Sequence, residues 1–272
     1  RLLVIGGCGF IGSNAVRFFK EKKYHVVACD LIEHDNYLNC EYYCVDSQNP
    51  DYSNILKNDK FDICLFAAGS ADVPGSLKNP SKDFLHNVHH VMCVLEAIRN
   101  YSPNTKFINL SSAAVYGNPT KLPISEEDAK FPISPYGWHK FESEQVCREY
   151  SLIYKIPTIN LRIFSAYGPG LKRQLFWDIY KKATIDGVVQ LFGTGAETRD
   201  FIYIDDVMLA ISLCIKNSAF CGESINVANG QEINIKIAAT ELIKHLGLDI
   251  KVVFSGNQRS VDPTNWRADI AL

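Results

Sequence analysis

The chain begins with RLLVIGGCGFIGSNAVRFFK (residues 1–20), a short apolar run that leads directly into a glycine-rich turn. Gly6, Gly9 and Gly12 recur at every third position, where a strand would pass into a helix. Gly6 permits a tight turn, Gly9 lets a pyrophosphate approach the backbone, and Gly12 lets the helix pack closely on the sheet. The stretch therefore predicts a strand, a phosphate-binding turn and a helix.

The residues that follow this turn support a dinucleotide-binding function. Gly7, Gly9 and Gly12 also satisfy the G-x-G-x-x-G pattern, which is weak evidence when it stands alone. Asp30 closes the second predicted strand, where a carboxylate suits the ribose hydroxyls of a dinucleotide and repels a 2′-phosphate. We therefore expect NAD as the cofactor. Asp46 ends the third strand and is a candidate adenine contact, with a plain turn role as the alternative.

Composition excludes several other classes of protein. The 272 residues are 47% hydrophobic and 21% charged, with a formal net charge of −2, so no basic field suggests nucleic acid or an anionic membrane as a partner. No apolar run is long enough to span a bilayer. The nine cysteines are scattered and form no C-x-x-C pair. We expect buried free thiols, a reduced cytoplasmic location and no metal site.

The order of predicted elements indicates an α/β protein. Near-continuous apolar strands alternate with helices through the first half, which predicts a doubly wound parallel Rossmann sheet. After Phe164 the pattern changes, and we expect a smaller, discontinuous α/β substrate domain. The predicted division is residues 1–165 for NAD binding and 166–272 mainly for the substrate, with about 201–229 returning to the first domain. The tail from residue 251 looks irregular, and the last helix of the second domain is expected to be missing.

The stretch SPYGWHKFESEQ (residues 134–145) places two chemically active groups on one helix. Ser134 is a plausible N-cap, and Tyr136 and Lys140 then lie four residues apart on one face. A lysine ammonium next to a phenol favours the phenolate, so we expect Lys140 to lower the pKa of Tyr136 from about 10. Such a phenolate can act as a general base toward a hydroxyl. Ser112, at the end of the fifth strand, can orient the same oxygen.

Taken together, these motifs resemble the extended short-chain dehydrogenase/reductases of the NAD-dependent epimerase/dehydratase family, which acts on nucleotide sugars. The resemblance covers nearly the whole chain. The motifs that carry it are GGCGFIG (6–12), LFAA (65–68), NLSSAAVYG (109–117), YGWHK (136–140), LRIFSAYGPG (161–170), LFGTGAETRDFIYIDD (191–206) and RSVDPTNWRAD (259–269).

The resemblance implies a role for individual residues. Ser112 would be the catalytic hydroxyl, and Tyr136 and Lys140 would complete a triad. Arg199 and Arg259 match the arginines that grip the substrate diphosphate, for which a guanidinium fork is suited. The expected cofactor contacts are Gly6, Gly9, Phe10, Ile11, Gly12, Asp30, Asp46, Ala67, Ala68, Asn87, Tyr136 and Lys140. The expected substrate contacts are Ser112, Ser165, Gln174, Phe192, Arg199, Arg259 and Trp266. Phe192, in an apolar run, is also explained by a place in the core.

The residues after Ser112 narrow the reaction. The family's 4,6-dehydratases carry an Asp-Glu pair there for water elimination, whereas this chain has Ala113 and Ala114. Redox chemistry at one carbon remains, which fits a UDP-hexose 4-epimerase with a transient 4-keto intermediate and tightly bound NAD. The alternatives are an epimerase or reductase for a GDP-, CDP- or dTDP-sugar, or a non-catalytic dinucleotide-binding sensor.

Three positions depart from the family's pattern or bear on the sugar. Ser165 stands where the family often has Asn, and Leu65 replaces a family His. Trp266 falls where related 4-epimerases place a size-determining residue, so its bulk would disfavour N-acetylated sugars. The resemblance further implies a homodimer formed by helices near residues 81–100 and 136–153, and a role in polysaccharide precursor supply.

Overall fold

Strands and helices alternate along most of the chain in the computed structural model, which describes residues 1–34, 37–257, 259 and 261–272. The strands are β1 (Leu2–Ile5), β2 (Val26–Asp30), β3 (Glu41–Cys44), β4 (Ile63–Phe66), β5 (Lys106–Ser112), β6 (Thr158–Ile163), β7 (Ser165–Tyr167), β8 (Val189–Leu191), β9 (Thr198–Arg199), β10 (Phe201–Tyr203), β11 (Cys221–Val227), β12 (Ile233–Asn234) and β13 (Val252–Phe254). The α-helices are α1 (Phe10–Glu21), α2 (Ser53–Asn58), α3 (Val73–Lys78), α4 (Pro80–Phe84), α5 (His90–Tyr101), α6 (Pro135–Tyr154), α7 (Gln174–Lys181), α8 (Ile204–Asn217) and α9 (Ile235–His245).

Seven strands form one parallel sheet in the order β11-β6-β5-β4-β1-β2-β3. The order runs outward in both directions from β1, whose last residue, Ile5, lies between Cys29 of β2 and Phe66 of β4. The sheet confirms the predicted doubly wound Rossmann class. In such a sheet, ligands bind at the carboxyl ends of the strands near the point where the order reverses. The glycine-rich turn after β1 lies at that point.

The sheet is buried on both faces because successive residues of each strand point to opposite sides. On one face, Leu2 and Val4 pack with α1 and α8, and Phe19 and Ile211 are fully buried. On the other face, Leu3 and Ile5 belong to a core shared with α2, α5 and α6. These two layers hold the strand ends rigidly around the site.

A smaller core lies beyond β6 and joins α7, α9, β8 and β13. Its buried side chains include Ile179, Leu191 and Ile243. The interpretation of the tail from residue 251 as irregular is wrong at Val252–Phe254, because these residues form β13 and pair in parallel with β8. A three-residue strand depends on a distant partner, which the local pattern does not reveal. Outside this smaller core, β11 pairs with β6 at the edge of the main sheet.

The cysteines are all free thiols. Cys29, Cys64 and Cys147 are buried, whereas Cys44 and Cys221 are exposed. The expectation of buried thiols therefore holds for three of the nine cysteines and is wrong for the two exposed ones. Within the described ranges, the helices lack the combination of length and apolar character that a membrane crossing requires.

Candidate active site

The glycine-rich turn lies between β1 and α1, and each glycine has its own steric reason. Gly6 has a φ of +86°, which side chains rarely adopt, and it lies against the backbone of Ala67 and Ala68. A Cβ on Gly12 would collide with the Gly6 carbonyl oxygen. Gly9 is the exposed N-cap of α1, with no side-chain capping bond. Its outer side is therefore open, and the free N–H groups of the first turn fit an anionic pyrophosphate.

The two predicted acidic contacts occupy different surroundings. Asp30 lies beside the glycine turn, where its Oδ2 accepts a hydrogen bond from the Cys8 backbone N–H (2.8 Å) and its Oδ1 accepts one from Leu31 (2.7 Å). Its carboxylate is thus held at the edge of the turn, as ribose recognition requires. Asp46 is exposed and accepts a bond from the Gln48 backbone N–H (2.7 Å), which is the ordinary turn role. Asp30 therefore fits a ribose contact, whereas Asp46 has the role of an ordinary turn residue.

The first turn of α1 also contacts the segment after β7. Phe10 and Ile11 are half-buried and pack against the core of the sheet. Asn14, one turn later, donates from Nδ2 to the carbonyl oxygens of Phe10 (2.8 Å) and Pro169 (3.2 Å). The YGPG motif (residues 167–170) therefore contacts the start of α1. Sequence reasoning missed this contact because Asn14 reads as an ordinary polar position of the helix.

A buried polar corner lies beyond the end of β4. Asn87, in the π-helical turn Leu85–His89, is fully buried and donates from Nδ2 to the Ser70 carbonyl oxygen (3.2 Å). Its Oδ1 accepts no hydrogen bond from any described residue. A Cβ on Gly69 would meet both this oxygen and the Lys140 ammonium. A buried, unpartnered amide oxygen beside an ammonium fits a polar ligand group such as a ribose or carboxamide.

Helix α6 begins as predicted. The Ser134 hydroxyl accepts a bond from the Gly137 N–H (3.1 Å), and Pro135 occupies the first helical position. The Tyr136 N–H donates to the Ser76 hydroxyl of α3 (3.1 Å). Two serines thus accept hydrogen bonds from N–H groups at the helix start, and they hold the backbone at Tyr136.

The Tyr136 phenol on α6 and the Ser112 hydroxyl at the end of β5 lie near each other on the same cleft. Burial is the main cause that raises the pKa of Tyr136 to about 12, with the nearby charge of Asp83 adding to it and the Ser112 hydroxyl opposing it. The expectation that Lys140 lowers this pKa is wrong for the chain as folded. The Lys140 ammonium instead donates to the Leu110 carbonyl oxygen (2.9 Å). Tyr136 is only 7% exposed, so desolvation decides the direction.

Lys140 is itself buried, with 5% of its surface exposed. Burial lowers the pKa of Lys140 to about 8, against the opposing charges of Asp83 and Glu144. Glu144 forms a buried ion pair with Arg162 (2.8 Å) and accepts a bond from the Ser111 hydroxyl (2.6 Å). The lysine is therefore near the balance between its charged and neutral forms at slightly alkaline pH.

A cleft of about 760 Å³ connects Ser112 and Tyr136 with the smaller core. It is lined by Tyr136 and by every predicted substrate contact, which are Ser112, Ser165, Gln174, Phe192, Arg199, Arg259 and Trp266. A volume of this size accommodates a drug-sized or larger ligand. The residues that the sequence predicts as substrate contacts lie up to 154 positions apart in the chain, and in the fold they line one cavity.

The two predicted arginines lie in different environments within the cleft. Arg199 donates to the Thr198 carbonyl oxygen (2.7 Å) and lies 5.4 Å from the centre of the Trp266 ring. Burial lowers the pKa of Arg199, but an arginine retains its charge in proteins. Arg259 pairs with Asp262 (3.0 Å) and lies 4.5 Å from the centre of the Phe192 ring. Both guanidinium groups are held by neighbours and face one cavity.

The remaining predicted contacts differ in how firmly they are held. Phe192 is 56% exposed, so the alternative of a core position is wrong. Ser165 begins β7, and its backbone N–H donates to the Asp200 carbonyl oxygen (3.0 Å). Gln174 begins α7 with an exposed side chain and a φ of +64°. A non-glycine residue in this conformation is uncommon and marks a locally constrained start of the helix.

Sequence reasoning missed several residues that belong to this region. Arg173 lines the cleft beside Gln174. Asp83 of α4 is buried, and its Oδ2 lies 2.6 Å from Nδ1 of His139, which stands between Tyr136 and Lys140 on α6. The histidine within YGWHK was visible in the sequence, but its acidic partner lies 56 residues earlier.

The fold and the site together define an α/β dinucleotide-binding enzyme with a catalytic tyrosine and lysine candidate on one helix. Residues 2–228 match the NAD dependent epimerase/dehydratase family. The chain belongs to this family, which confirms the resemblance inferred from its motifs.

Individual relatives agree with this assignment. The chain is 30% identical over 296 residues to a UDP-glucose 4-epimerase of Lactobacillus helveticus, a match that covers 99% of this chain and 88% of the relative. It is 28% identical to the UDP-glucuronic acid 4-epimerase of Bacillus cereus, solved with UDP-glucuronic acid and NAD, at a TM-score of 0.89 and with 99% and 90% of the chains covered. It is 26% identical to a UDP-N-acetylglucosamine 4-epimerase of Methanobrevibacter ruminantium M1, solved with UDP-N-acetylmuramic acid, at a TM-score of 0.89 and with 100% and 89% covered.

These relatives confirm part of the functional prediction. The chain is an NAD-dependent enzyme of the nucleotide-sugar epimerase/dehydratase type, and the prediction of NAD as cofactor is confirmed. The names and bound ligands of the three relatives specify different sugars, so the similarity does not by itself identify the sugar that this chain uses.

Proposed function

We propose that this chain is a nucleotide-sugar 4-epimerase that acts on a UDP-hexose through a transient 4-keto intermediate, with NAD retained between turnovers. The observation that carries the proposal is the shared cleft, because the phenol of Tyr136 and the guanidinium groups of Arg199 and Arg259 face the same cavity. A diphosphate held at the arginines would leave the sugar ring within the same space as Tyr136 and Ser112.

The residues suited to hold NAD are those that surround the open carboxyl ends of the strands. Gly9 and the first turn of α1 would receive the pyrophosphate, and Asp30 would receive the ribose hydroxyls. The unpartnered Asn87 Oδ1 and the Lys140 ammonium would receive the groups at the other end of the cofactor. Bound NAD supplies the hydride acceptor and donor for C4, and its positive charge favours the phenolate form of Tyr136.

The protein residues carry out the proton transfer. Tyr136 takes the proton of the C4 hydroxyl as the carbonyl forms, and it returns that proton when C4 is reduced from the opposite face. The Ser112 hydroxyl, which lies near the phenol on the same cleft, orients the reacting oxygen. Arg199 and Arg259 keep the diphosphate bound while the uncharged keto ring turns over. Tight binding far from the reacting carbon and loose binding near it allow both faces to be presented.

The carboxylates of the cleft support redox chemistry rather than elimination. Each of them already has a partner: Asp72 accepts from the Gly75 N–H (3.0 Å), Asp178 pairs with Lys182 (2.7 Å), Glu197 accepts from the Gly195 N–H (2.8 Å), and Asp262 pairs with Arg259 (3.0 Å). After Ser112, Ala113 is buried and Ala114 lines the cavity. The described lining thus offers no carboxylate without a partner as the acid or base of a water elimination.

The direct test is interconversion by the purified protein. We expect UDP-glucose and UDP-galactose to interconvert without added NAD, and NAD to be released when the protein is denatured. Tyr136→Phe is expected to retain NAD and lose at least about a hundredfold of the turnover. Tyr101→Phe, at an exposed position of α5, is the matched control and should behave like the parent.

The other outcomes separate the alternatives. Conversion of a GDP-, CDP- or dTDP-sugar in place of a UDP-sugar would move the proposal to another nucleotide. Net consumption of NADH would indicate a keto-sugar reductase. A protein that binds NAD but converts none of these sugars, with Tyr136→Phe indistinguishable from the parent, would favour a dinucleotide sensor.

We also propose a division of labour and a dimer. Residues 1–165 with about 201–229 would bind NAD, since β11 and α8 pack with the main sheet, and most of 166–272 would bind the nucleotide sugar. Exposed apolar side chains on the helices near 81–100 and 136–153, including Met92, Trp138 and Ile153, support a homodimer. Light scattering of the purified protein tests it, and a monomeric mass would contradict it.

A further inference from the structure

Asp83 and His139 form a buried pair at the turn of α6 that carries Tyr136 and Lys140. Asp83 is 4% exposed, and its Oδ2 lies 2.6 Å from Nδ1 of His139. A carboxylate oxygen only accepts hydrogen bonds, so His139 Nδ1 carries the proton and donates it to the contact. His139 stands between Tyr136 and Lys140 in the sequence, and the ring of Phe84 meets it edge-on at 5.5 Å. The contact therefore joins α4 to the turn of α6 that carries Tyr136 and Lys140.

The second oxygen of the carboxylate is unsatisfied. Asp83 Oδ1 is buried and accepts no hydrogen bond from the part of the chain that the structure describes. A buried carboxylate with an empty oxygen costs free energy, and a purely structural contact would be served as well by a neutral amide. A negative charge at this position needs a reason beyond packing.

The charge acts on both members of the catalytic pair. It raises the pKa of Lys140, which burial lowers to about 8, and so favours the ammonium form. It also raises the pKa of Tyr136. Glu144 acts on Lys140 in the same direction, but it already pairs with Arg162 (2.8 Å). Of the two carboxylates whose charge acts on Lys140, Asp83 is therefore the one without a lysine or arginine partner in the described ion pairs.

We propose that Asp83, held in place by His139, is a positioning residue that sets the charge state of Lys140 and Tyr136. The inference rests on the proposed function, in which Lys140 must stay an ammonium while Tyr136 exchanges a proton. Asp83 favours the ammonium form of Lys140 against the effect of burial, and it makes the Tyr136 phenol ionise less readily. His139 keeps the carboxylate aimed at the helix turn.

The groups that face this carboxylate come from two elements. Lys82 and His86 lie near it on its own segment, where its charge acts on His86. His139, Tyr136 and Lys140 face it from α6. Of these, Tyr136 and Lys140 are the groups whose charge the proposed reaction uses.

The test measures ionisation at position 136 directly. A fluorinated tyrosine is placed at position 136 alone, and its fluorine NMR shift is followed against pH. The fluorine substituents lower the pKa of the phenol, so that it titrates below the alkaline pH at which proteins unfold. Asp83→Asn keeps an oxygen for His139 and removes only the charge. We expect its midpoint to lie about one pH unit below that of the parent. Glu149→Gln removes a charge at an exposed site of the same helix and should leave the midpoint unchanged.

Two variants of the histidine separate charge from packing. His139→Gln still offers an N–H to Asp83 and should titrate like the parent. His139→Leu removes the contact that holds the carboxylate in place, so the midpoint should move toward that of Asp83→Asn. A midpoint that stays at the parent's pH in both Asp83→Asn and His139→Leu would overturn the proposal, even if both variants lost thermal stability.

Failure of this inference is distinguishable from failure of the proposed function. The fluorine titration requires neither sugar nor turnover, so it reports on Asp83 whatever reaction the protein catalyses. In an active enzyme, Asp83→Asn should also move the alkaline limb of the kcat profile to lower pH, because Lys140 loses its proton earlier. An alkaline limb that stays at the parent's pH in Asp83→Asn would contradict the part of the inference that concerns Lys140.

Discussion

The indole Nε1 of Trp266 donates a hydrogen bond of 3.0 Å to the Gly117 carbonyl oxygen. Gly117 closes the 3-10 turn Ala113–Tyr116 that follows Ser112. This bond therefore ties the last cleft-lining segment to the turn that follows β5. The Thr264 N–H reinforces the link by donating to Asn118 Oδ1 (2.7 Å). The Trp266 side of the cleft and the segment that follows Ser112 are thus held in one arrangement.

This contact predicts two separable effects of changing Trp266. Trp266→Phe keeps an aromatic ring but loses the N–H, so the free energy of unfolding should fall by about 1 kcal/mol. Trp266→Ala opens the cavity, and kcat/KM for a UDP-N-acetylhexose should rise about tenfold relative to the plain UDP-hexose. Urea denaturation and paired kinetic assays measure the two effects.

Trp177 supplies the control for these measurements, because it stacks on Tyr180 and does not line the cleft. Trp177→Ala should lower stability without changing the preference between the two sugars. An unchanged preference in Trp266→Ala would mean that the indole packs the wall without selecting the substrate.

The glycine turn predicts opposite behaviour at two positions. Gly9 has a φ of −73°, and a Cβ there would meet only the Gly6 carbonyl oxygen, at 3.3 Å. Gly9→Ala should therefore fold with its stability changed by less than about 1 kcal/mol and lose most of its NAD affinity, because the methyl group projects from the exposed turn. Calorimetric titration of the NAD-free protein with NAD, alongside thermal unfolding, measures both properties.

Gly12 is the contrasting position. A Cβ there would collide with the Gly6 carbonyl oxygen and press on the Gly7 backbone, so Gly12→Ala should destabilise the fold itself by about 1–3 kcal/mol or more. If Gly9→Ala and Gly12→Ala lost stability equally, the turn would be a purely structural element.

The sequence predicted those features that depend on local chemistry. Gly6 and the Ser134 cap follow from patterns within a few residues, the doubly wound class follows from the alternation of strands and helices along the first half, and the structure contains all three. The strand β13 and the Asp83–His139 contact require partners far away in the chain, which no short pattern identifies. The sequence also predicted the wrong direction for the pKa of Tyr136. This pKa depends on the degree of burial, which is a property of the assembled fold and not of the spacing between Tyr136 and Lys140.

The stacking of Arg259 on Phe192 predicts that a lysine cannot replace this arginine. Arg259→Lys keeps a positive charge but loses the planar fork and the ring contact 4.5 Å away. We expect KM for the nucleotide sugar to rise about tenfold with a much smaller change in kcat, since the diphosphate is bound equally in the ground and transition states. Arg148→Lys, at an exposed site of α6, is the control. A fall in kcat with an unchanged KM would place Arg259 at the reacting ring instead.

The buried lysine predicts an alkaline gain in stability. Burial lowers the pKa of Lys140 from 10.5 to about 8 in the folded chain, so between these pH values the unfolded chain binds more protons. The free energy of unfolding should therefore rise with pH through this window, by up to about 3 kcal/mol from this group alone. Lys140→Met removes the contribution, so the stability difference between the parent and this variant should change across the window. Urea midpoints measured from pH 7 to pH 10 test this, with Lys57→Met, exposed on α2, as the control that should run parallel to the parent. Parallel curves for Lys140→Met would show that the ammonium is as well solvated in the folded chain as in water.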